Sequence, residues 1–410
     1  MLNKQSLLST LLKFHSAFNN YGYDTYDPYD LMSSDTGQFL RSVYFKNKPI
    51  GLLLGGPYFM TDLIFPKIRH LISQKKRYAN ADAHLILGYV NLYYLTKKQI
   101  FIELAIELGE HLIKTSIDGF SGHCWGYPFD WVSHSGKWKK GTPFITVTPY
   151  CYEAFITLHE ATHEQKFADT ALSITKFVLN DLKETRIDQN TLICSYSPFD
   201  TSRVINANAY RSFVLCHASA YFNMPSYMDK VHDHLNFIRM NQRADGSWLY
   251  ESNNDYNNFI DNIHTCFVLK NLIKCNLVLK SSDISETILN GLNFYSKFLI
   301  SKDFSLLSFV KNNKFSFFRE SLYDYAEAIN LFLLSQPYDQ KFKNILNQLL
   351  KRVLSYQLSN GFFIDRITIL QTKQTIPFIR WGQSQMFSSL SSLALNNDSN
   401  PLISESPYYQ

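Results

Sequence analysis

Apolar residues recur along this chain in two alternating styles. Six segments are apolar on most sides and begin near Asp82, Pro149, Ala207, Ile260, Tyr323 and Arg380. Between them lie segments with one apolar stripe at helical spacing, over residues 99–116, 165–184, 226–242, 283–299 and 339–357. Residues 5–19, with Leu7, Leu11, Phe14 and Phe18 in register, supply a sixth of this kind. Aligned on Phe155, Phe213, Phe267, Ile329 and Phe387, the all-round apolar segments are separated by 58, 54, 62 and 58 residues. Helices buried on every side alternating with helices buried on one side describe two concentric layers. Six such hairpins closed into a ring predict an all-α fold, an (α/α)6 toroid occupying residues 1–410 as a single domain. Two separate helical domains are the alternative, but no Pro/Gly/Ser-rich linker divides the chain.

The connections that lead into the all-apolar helices share a grammar. HCWGYPFDW (His123 to Trp131), ICSYSPFD (Ile193 to Asp200), GSWLYES (Gly246 to Ser252), FSFFRES (Phe315 to Ser321) and GFFIDR (Gly361 to Arg366) each mix aromatic and polar residues over a few positions. They predict short β-hairpin loops gathered at one end of the ring. GYDTYDPYDLMSS (Gly22 to Ser34) reads as a loop, and residues 38–60, with GLLLGGPYF, read as an extended connection crossing the molecule.

Polar residues stand in pairs three apart where the inner helices begin: Tyr150 with Glu153, Asn208 with Arg211, Asp261 with His264, Asp324 with Glu327, and Arg380 with Gln383. Residues three apart share a helical face, and in a ring that face can point into the funnel. Carboxylates facing across a sugar are what glycosidic chemistry needs, and a guanidinium fork suits an anionic sugar. Asp261, Asp324 and Glu327 are therefore the candidate catalytic acids, with His264 orienting or sharing the proton. Tyr150, Glu153, Asn208, Arg211, Tyr325, Arg380 and Gln383 are candidate binding residues, and Trp125, Trp248 and Trp381 candidate stacking platforms. Helix capping is the competing explanation for each pair.

Composition changes this picture little. Aromatic residues make up 15% of the chain, which suits stacking on sugar faces and equally a well-packed helical core. The net charge of +5 comes with no dense basic run, which argues against a nucleic-acid partner. Six widely spaced cysteines without a CxxC point to free thiols in a reducing compartment, and no metal or cofactor is expected. No Walker loop, GxGxxG or GxSxG is present. The amphipathic start lacks a secretory pattern and no stretch has the apolar length of a membrane span, so a cytoplasmic location is expected.

GYDTYDPYD, GTPFITVTPYCYEAF (Gly141 to Phe155), DNIHTCFVLKNL (Asp261 to Leu272) and IRWGQSQMF (Ile379 to Phe387) follow one order along the chain. In that order the sequence resembles the bacterial helical-toroid proteins associated with exopolysaccharide, capsule and O-antigen biosynthesis. The resemblance implies an (α/α)6 fold and a carbohydrate-active role in surface-polysaccharide biosynthesis, on an acidic or amino-sugar-containing glycan or precursor. Hydrolase, lyase and epimerase chemistry all remain open, as does association with polysaccharide assembly enzymes. A non-catalytic glycan-binding or scaffold protein is the alternative. A lanthionine-cyclase-like or prenyl-transfer toroid would need a zinc site that the cysteine spacing does not supply.

Overall fold

The computed structural model describes residues 4–133, 136–253, 258–310 and 316–396. Part of the Asn-rich loop before Asp261 and the first residue of the Phe315–Ser321 segment lie outside these residues. The chain forms α1 (Lys4–Tyr21), then four helices in the first connection: α2 (Asp30–Ser33), α3 (Asp35–Lys46), α4 (Lys48–Ile64) and α5 (Arg69–Ile72). Next come α6 (Ala79–Thr96), α7 (Gln99–Lys114), α8 (Thr148–Thr162), α9 (Gln165–Asn180), α10 (Ile205–Tyr221) and α11 (Met228–Met240). The chain continues with α12 (Asn262–Leu279), α13 (Ser282–Phe298), α14 (Leu322–Leu334), α15 (Gln340–Leu354) and α16 (Ser384–Asn396).

Helices α6, α8, α10, α12, α14 and α16 form the inner layer, each packed on the next, with α16 returning to α6 to close the ring. Helices α7, α9, α11, α13, α15 and α1 back them from outside. The burial agrees with the two sequence styles. In α10 every residue from Ile205 to Ser219 is buried, whereas α15 buries only Phe342, Leu346, Leu349, Leu350 and Val353. Six hairpins thus make an (α/α)6 toroid.

The two ends of the ring differ because their connections differ. From inner to outer helix the chain turns in two residues in three hairpins. There Lys97, His163 and Lys280 take the left-handed conformation (φ 57°, 59° and 51°) that ends a helix and reverses the chain. From outer to inner helix the connections are long and carry the strands. These are β1 (Trp131–Ser133) with β2 (Gly136–Trp138), β3 (Glu184–Asp188) with β4 (Thr191–Cys194), and β5 (Phe318–Ser321) with β6 (Arg366–Thr368) and β7 (Lys373–Gln374), all antiparallel. These long connections, and the N-termini of the inner helices, share one end.

One expectation fails. Residues 38–60 are not an extended crossing but belong to the helical pair α3 and α4. Gly55, Gly56 and Pro57 suggested a broken chain, but α4 runs through all three, and Gly51 and Gly55, one helical turn apart, let it approach α3. A Cβ on Gly51 would stand 2.1 Å from the Tyr44 Cα.

Candidate active site

Asp261 is the N-cap of α12. Its Oδ1 accepts the His264 backbone N–H at 2.9 Å, and its Oδ2 lies 2.7 Å from His264 Nδ1. A carboxylate oxygen accepts, so Nδ1 donates its N–H to Oδ2, and in the neutral ring Nε2 is the nitrogen that carries the free lone pair. Tyr250, Phe259 and Phe267 pack edge-on around the imidazole at centroid distances of 4.6, 5.9 and 5.7 Å. The Asp261 side chain is nearly covered and that of His264 is about 29% exposed, so the imidazole of this dyad is what meets solvent.

Beside the dyad runs a narrow crevice lined by Asn206, Trp248, Tyr250, Phe259 and Thr265 as well as Asp261 and His264. Asn206 is buried, and neither its Oδ1 nor its Nδ2 has a hydrogen-bond partner. Leaving a buried amide unpaired costs about 1–3 kcal/mol, which a ligand hydroxyl aligned on it would recover. Asn206 was missed in the sequence because Asn208, two residues on, has the same chemistry and the neater spacing to Arg211.

Below the mouth, six rings line the lumen, one from each hairpin. His84, Tyr150, Tyr210, Phe267, Tyr323 and Trp381 meet in succession at centroid distances of 4.6, 5.6, 5.5, 6.5 and 4.7 Å. Neither nitrogen of His84 has a partner, and burial lowers its pKa to about 3, helped by the positive charges of Lys270 and Lys274. It is therefore a neutral imidazole. Two ion pairs join inner helices beside these rings: Lys270 of α12 with Glu327 of the neighbouring α14, and Lys274 of α12 with Glu153 of α8. Sequence reasoning named the two acids and missed His84 and both lysines, because a Lys at helical spacing in an apolar helix looks like a solvated position until the ring closes round it.

Asp324 is sealed rather than open. Its Oδ2 accepts from Ser308 Oγ at 2.8 Å, and it is 1% exposed. Burial pushes its carboxyl up to about 7, against the Ser308 hydrogen bond and with the help of the Asp261 charge nearby.

Several expected site residues lie elsewhere, for a common reason. Asn208 Oδ1 accepts from the Cys194 N–H at 2.9 Å, and Gln383 bonds both backbone groups of Phe363, at 2.9 and 3.1 Å. Thr148 Oγ1 holds the Trp125 N–H in the same way, at 3.2 Å. A polar residue at or just before the first turn of an inner helix thus fastens the connection that precedes it. Arg211 is buried in a pair with Glu184 of β3 and bonds the Leu179 carbonyl of α9, facing the outer layer. Tyr325 donates to Glu320, which Arg352 and Tyr356 also bind. Trp125 and Trp248 are both buried, and Trp248 reaches only the wall of the dyad's crevice. Their indole N–H groups cap the Leu112 and Ile238 carbonyls at the ends of α7 and α11, at 3.0 and 2.9 Å. Arg380 is near the mouth but bound in a fork to Asp27, among the rings of Tyr29, Tyr78, Tyr127 and Trp381. The structure therefore brings together Asp261, His264, Tyr150, Glu153, Glu327 and Trp381, with Trp248 in the wall of the dyad's crevice, Asp324 sealed nearby and Arg380 against Trp381. Trp125, Asn208, Arg211, Tyr325 and Gln383 serve the packing of connections and outer helices.

Among the described residues no group of three or more His, Cys, Asp or Glu side chains is placed to hold a metal ion, and the six cysteines are buried free thiols. No helix among them is long and apolar enough to cross a membrane.

No protein-family model and no curated protein sequence matches the chain. Its shape is shared with solved structures. One is cellobiose 2-epimerase from Bacillus thermoamylovorans, with TM-score 0.59 and 12% identity over 77% of this chain and 88% of that one. Another is the GH76 α-mannanase of Bacteroides thetaiotaomicron, with TM-score 0.59 and 11% identity over 79% and 88%. A third is a family 88 glycosyl hydrolase from Bacteroides vulgatus, with TM-score 0.56 and 10% identity over 78% and 92%. At such identities the likeness is one of architecture: the chain is a six-hairpin toroid, the fold of these sugar epimerases and glycosyl hydrolases.

Proposed function

We propose that the chain is a sugar-modifying enzyme of the surface-polysaccharide pathways its sequence resembles, working by proton transfer at His264. The observation that carries this reading is the Asp261–His264 dyad at the mouth, which holds Nε2 as a base beside the unpaired amide of Asn206. Proton abstraction next to a sugar carbonyl, the step of an epimerase or isomerase, needs one positioned base and hydrogen-bond donors for the oxygen. Glycosidic cleavage needs two carboxyl groups free to act across the bond. Here Glu153 and Glu327 are each neutralised by a lysine, Asp324 is sealed under Ser308, and Asp261 is engaged by His264. The charges around the lumen also balance, which favours a neutral or amino sugar over the acidic glycan first considered.

The dyad's crevice is too narrow for a sugar ring, so the ring would lie across the mouth, over Trp381 and Tyr323, with one edge reaching Asn206. The test is incubation in D2O with a panel of reducing hexoses, N-acetylhexosamines and the glycan of its own gene neighbourhood, followed by NMR. Deuterium entering beside the carbonyl, lost in His264→Asn, supports the reading. Cleavage products without exchange would move it to a hydrolase, and stoichiometric sugar binding without turnover to the glycan-binding alternative.

A further inference from the structure

The first connection carries a surface that a water-soluble protein does not ordinarily present. Of the 21 large hydrophobic side chains exposed among the described residues, 11 fall between Phe39 and Ile72. Helix α4 is built inside out: Gly51 and Gly55 face α3, while Leu52, Leu53 and Leu54 are 56%, 75% and 50% exposed. Small residues inward and leucines outward is the arrangement of helices whose solvent is apolar. Phe65 and Leu71, just beyond, are 65% and 89% exposed.

We infer that this α3–α5 segment docks on an anionic lipid surface. Two features choose lipid over a protein partner. Three consecutive leucines point about 200° round the helix at roughly 100° per residue. A globular partner would need a deep socket to cover that arc, whereas acyl chains surround it without one. The second feature is charge. From residue 36 to residue 81 the only acid is Asp62, and it is bound to Arg69. Lys46, Lys48 and Lys67 are exposed in the same segment as the apolar residues, and none is in a salt bridge among the described residues. An apolar surface with lysines in the same segment matches acyl chains below and phosphate headgroups above. At 17 residues with Pro57 inside, α4 would lie in the interface rather than span it.

The surface also has a useful position. It belongs to an outer-to-inner connection, and Arg41 of α3 donates to the Val132 carbonyl of β1. Docking would therefore bring the end of the ring that bears His264 to the membrane, whatever reaction occurs there.

The experiment is flotation of the full chain with vesicles of phosphatidylcholine alone or with phosphatidylglycerol at 3:1, combined with light scattering of the free protein. Binding to the anionic vesicles is expected, weakened about tenfold or more in Leu53→Glu/Leu54→Glu and by a similar factor in Lys46→Glu/Lys48→Glu. Raised salt should weaken it too. The second pair keeps the test decisive if the leucine variant loses its fold. The inference is overturned if the wild-type chain stays with the soluble fraction, or if binding ignores both substitutions. It is equally overturned if the chain is a dimer that the leucine variant makes monomeric, because the patch would then be covered by a second copy.

Discussion

His264 owes its geometry to one residue that does two things. Asp261 caps α12 through Oδ1 and orients the imidazole through Oδ2. Asparagine is as good an N-cap as aspartate, so Asp261→Asn should keep the thermal midpoint within a few degrees. Turnover should nevertheless fall roughly 100-fold or more, the usual scale for a general base that loses its tautomer and orientation, and kcat should carry the loss. A parallel fall in stability would make Asp261 a cap alone. Asp324 offers the opposite test. Its folded pKa of about 7 lies above the 3.8 of a free aspartate, so the folded chain binds a proton more tightly than the unfolded one. Protonation thus favours folding, and this contribution is full below about pH 4 and lost as pH rises through 7. Asp324→Asn should be more stable than wild type at pH 8 and indistinguishable from it near pH 4, with turnover kept. Melting curves at both pH values and one activity assay check it. Both carboxylates stood out in the sequence as members of pairs three apart where inner helices begin, but only burial and partners tell a working one from a sealed one.

At the scale of elements, the toroid repeats a small set of contacts. Trp248 caps α11, and its ring fills the space over Gly291 of α13, where a Cβ would stand 2.7 Å from the indole. Gly246, two residues before it, has φ 88° and lies so close to α13 that a Cβ would meet the Asn290 carbonyl oxygen at 2.3 Å. The tryptophan was read as a sugar platform because a connection at a mouth would expose it; the connection instead folds back over the outer layer. Trp248→Phe should therefore cost about 1–2 kcal/mol, for a lost hydrogen bond and some packing, and leave sugar affinity unchanged. Urea unfolding and sugar titration of one preparation separate these effects. A loss of affinity at unchanged stability would return Trp248 to the binding set.

At the scale of the whole molecule, closing the ring depends on contacts between its first and last parts. Gly88 of α6 lies against Phe387 of α16, and a Cβ there would stand 2.3 Å from the ring. Gly88→Ala should cost about 1–3 kcal/mol through overpacking. Arg380 joins the last hairpin to Asp27 in the first connection, with both side chains buried. Arg380→Met leaves Asp27 as a buried unpaired charge and should destabilise by about 3–5 kcal/mol. Adding Asp27→Asn should recover much of that loss. A double-mutant cycle on unfolding free energy measures this, and simple additivity would show that the pair does not tie the ring.

The alternation of all-round and one-sided apolar helices was enough to establish the toroid, because hydrophobic burial is periodic and the period is written in residue types. The end that carries the long connections was legible for the same reason. The dyad was legible as a pair three apart in an apolar helix. What the chain alone could not decide was direction. Asn206 and Asn208, Glu327 and Asp324, Trp381 and Trp248 are alike in chemistry, and only the packed ring shows which turn toward the lumen and which fasten a connection. The six-ring belt, the Lys–Glu pairs between inner helices and the outward leucines of α4 belong to that second class. They join residues up to hundreds of positions apart, or depend on which face a neighbouring helix covers, and no local spacing records either.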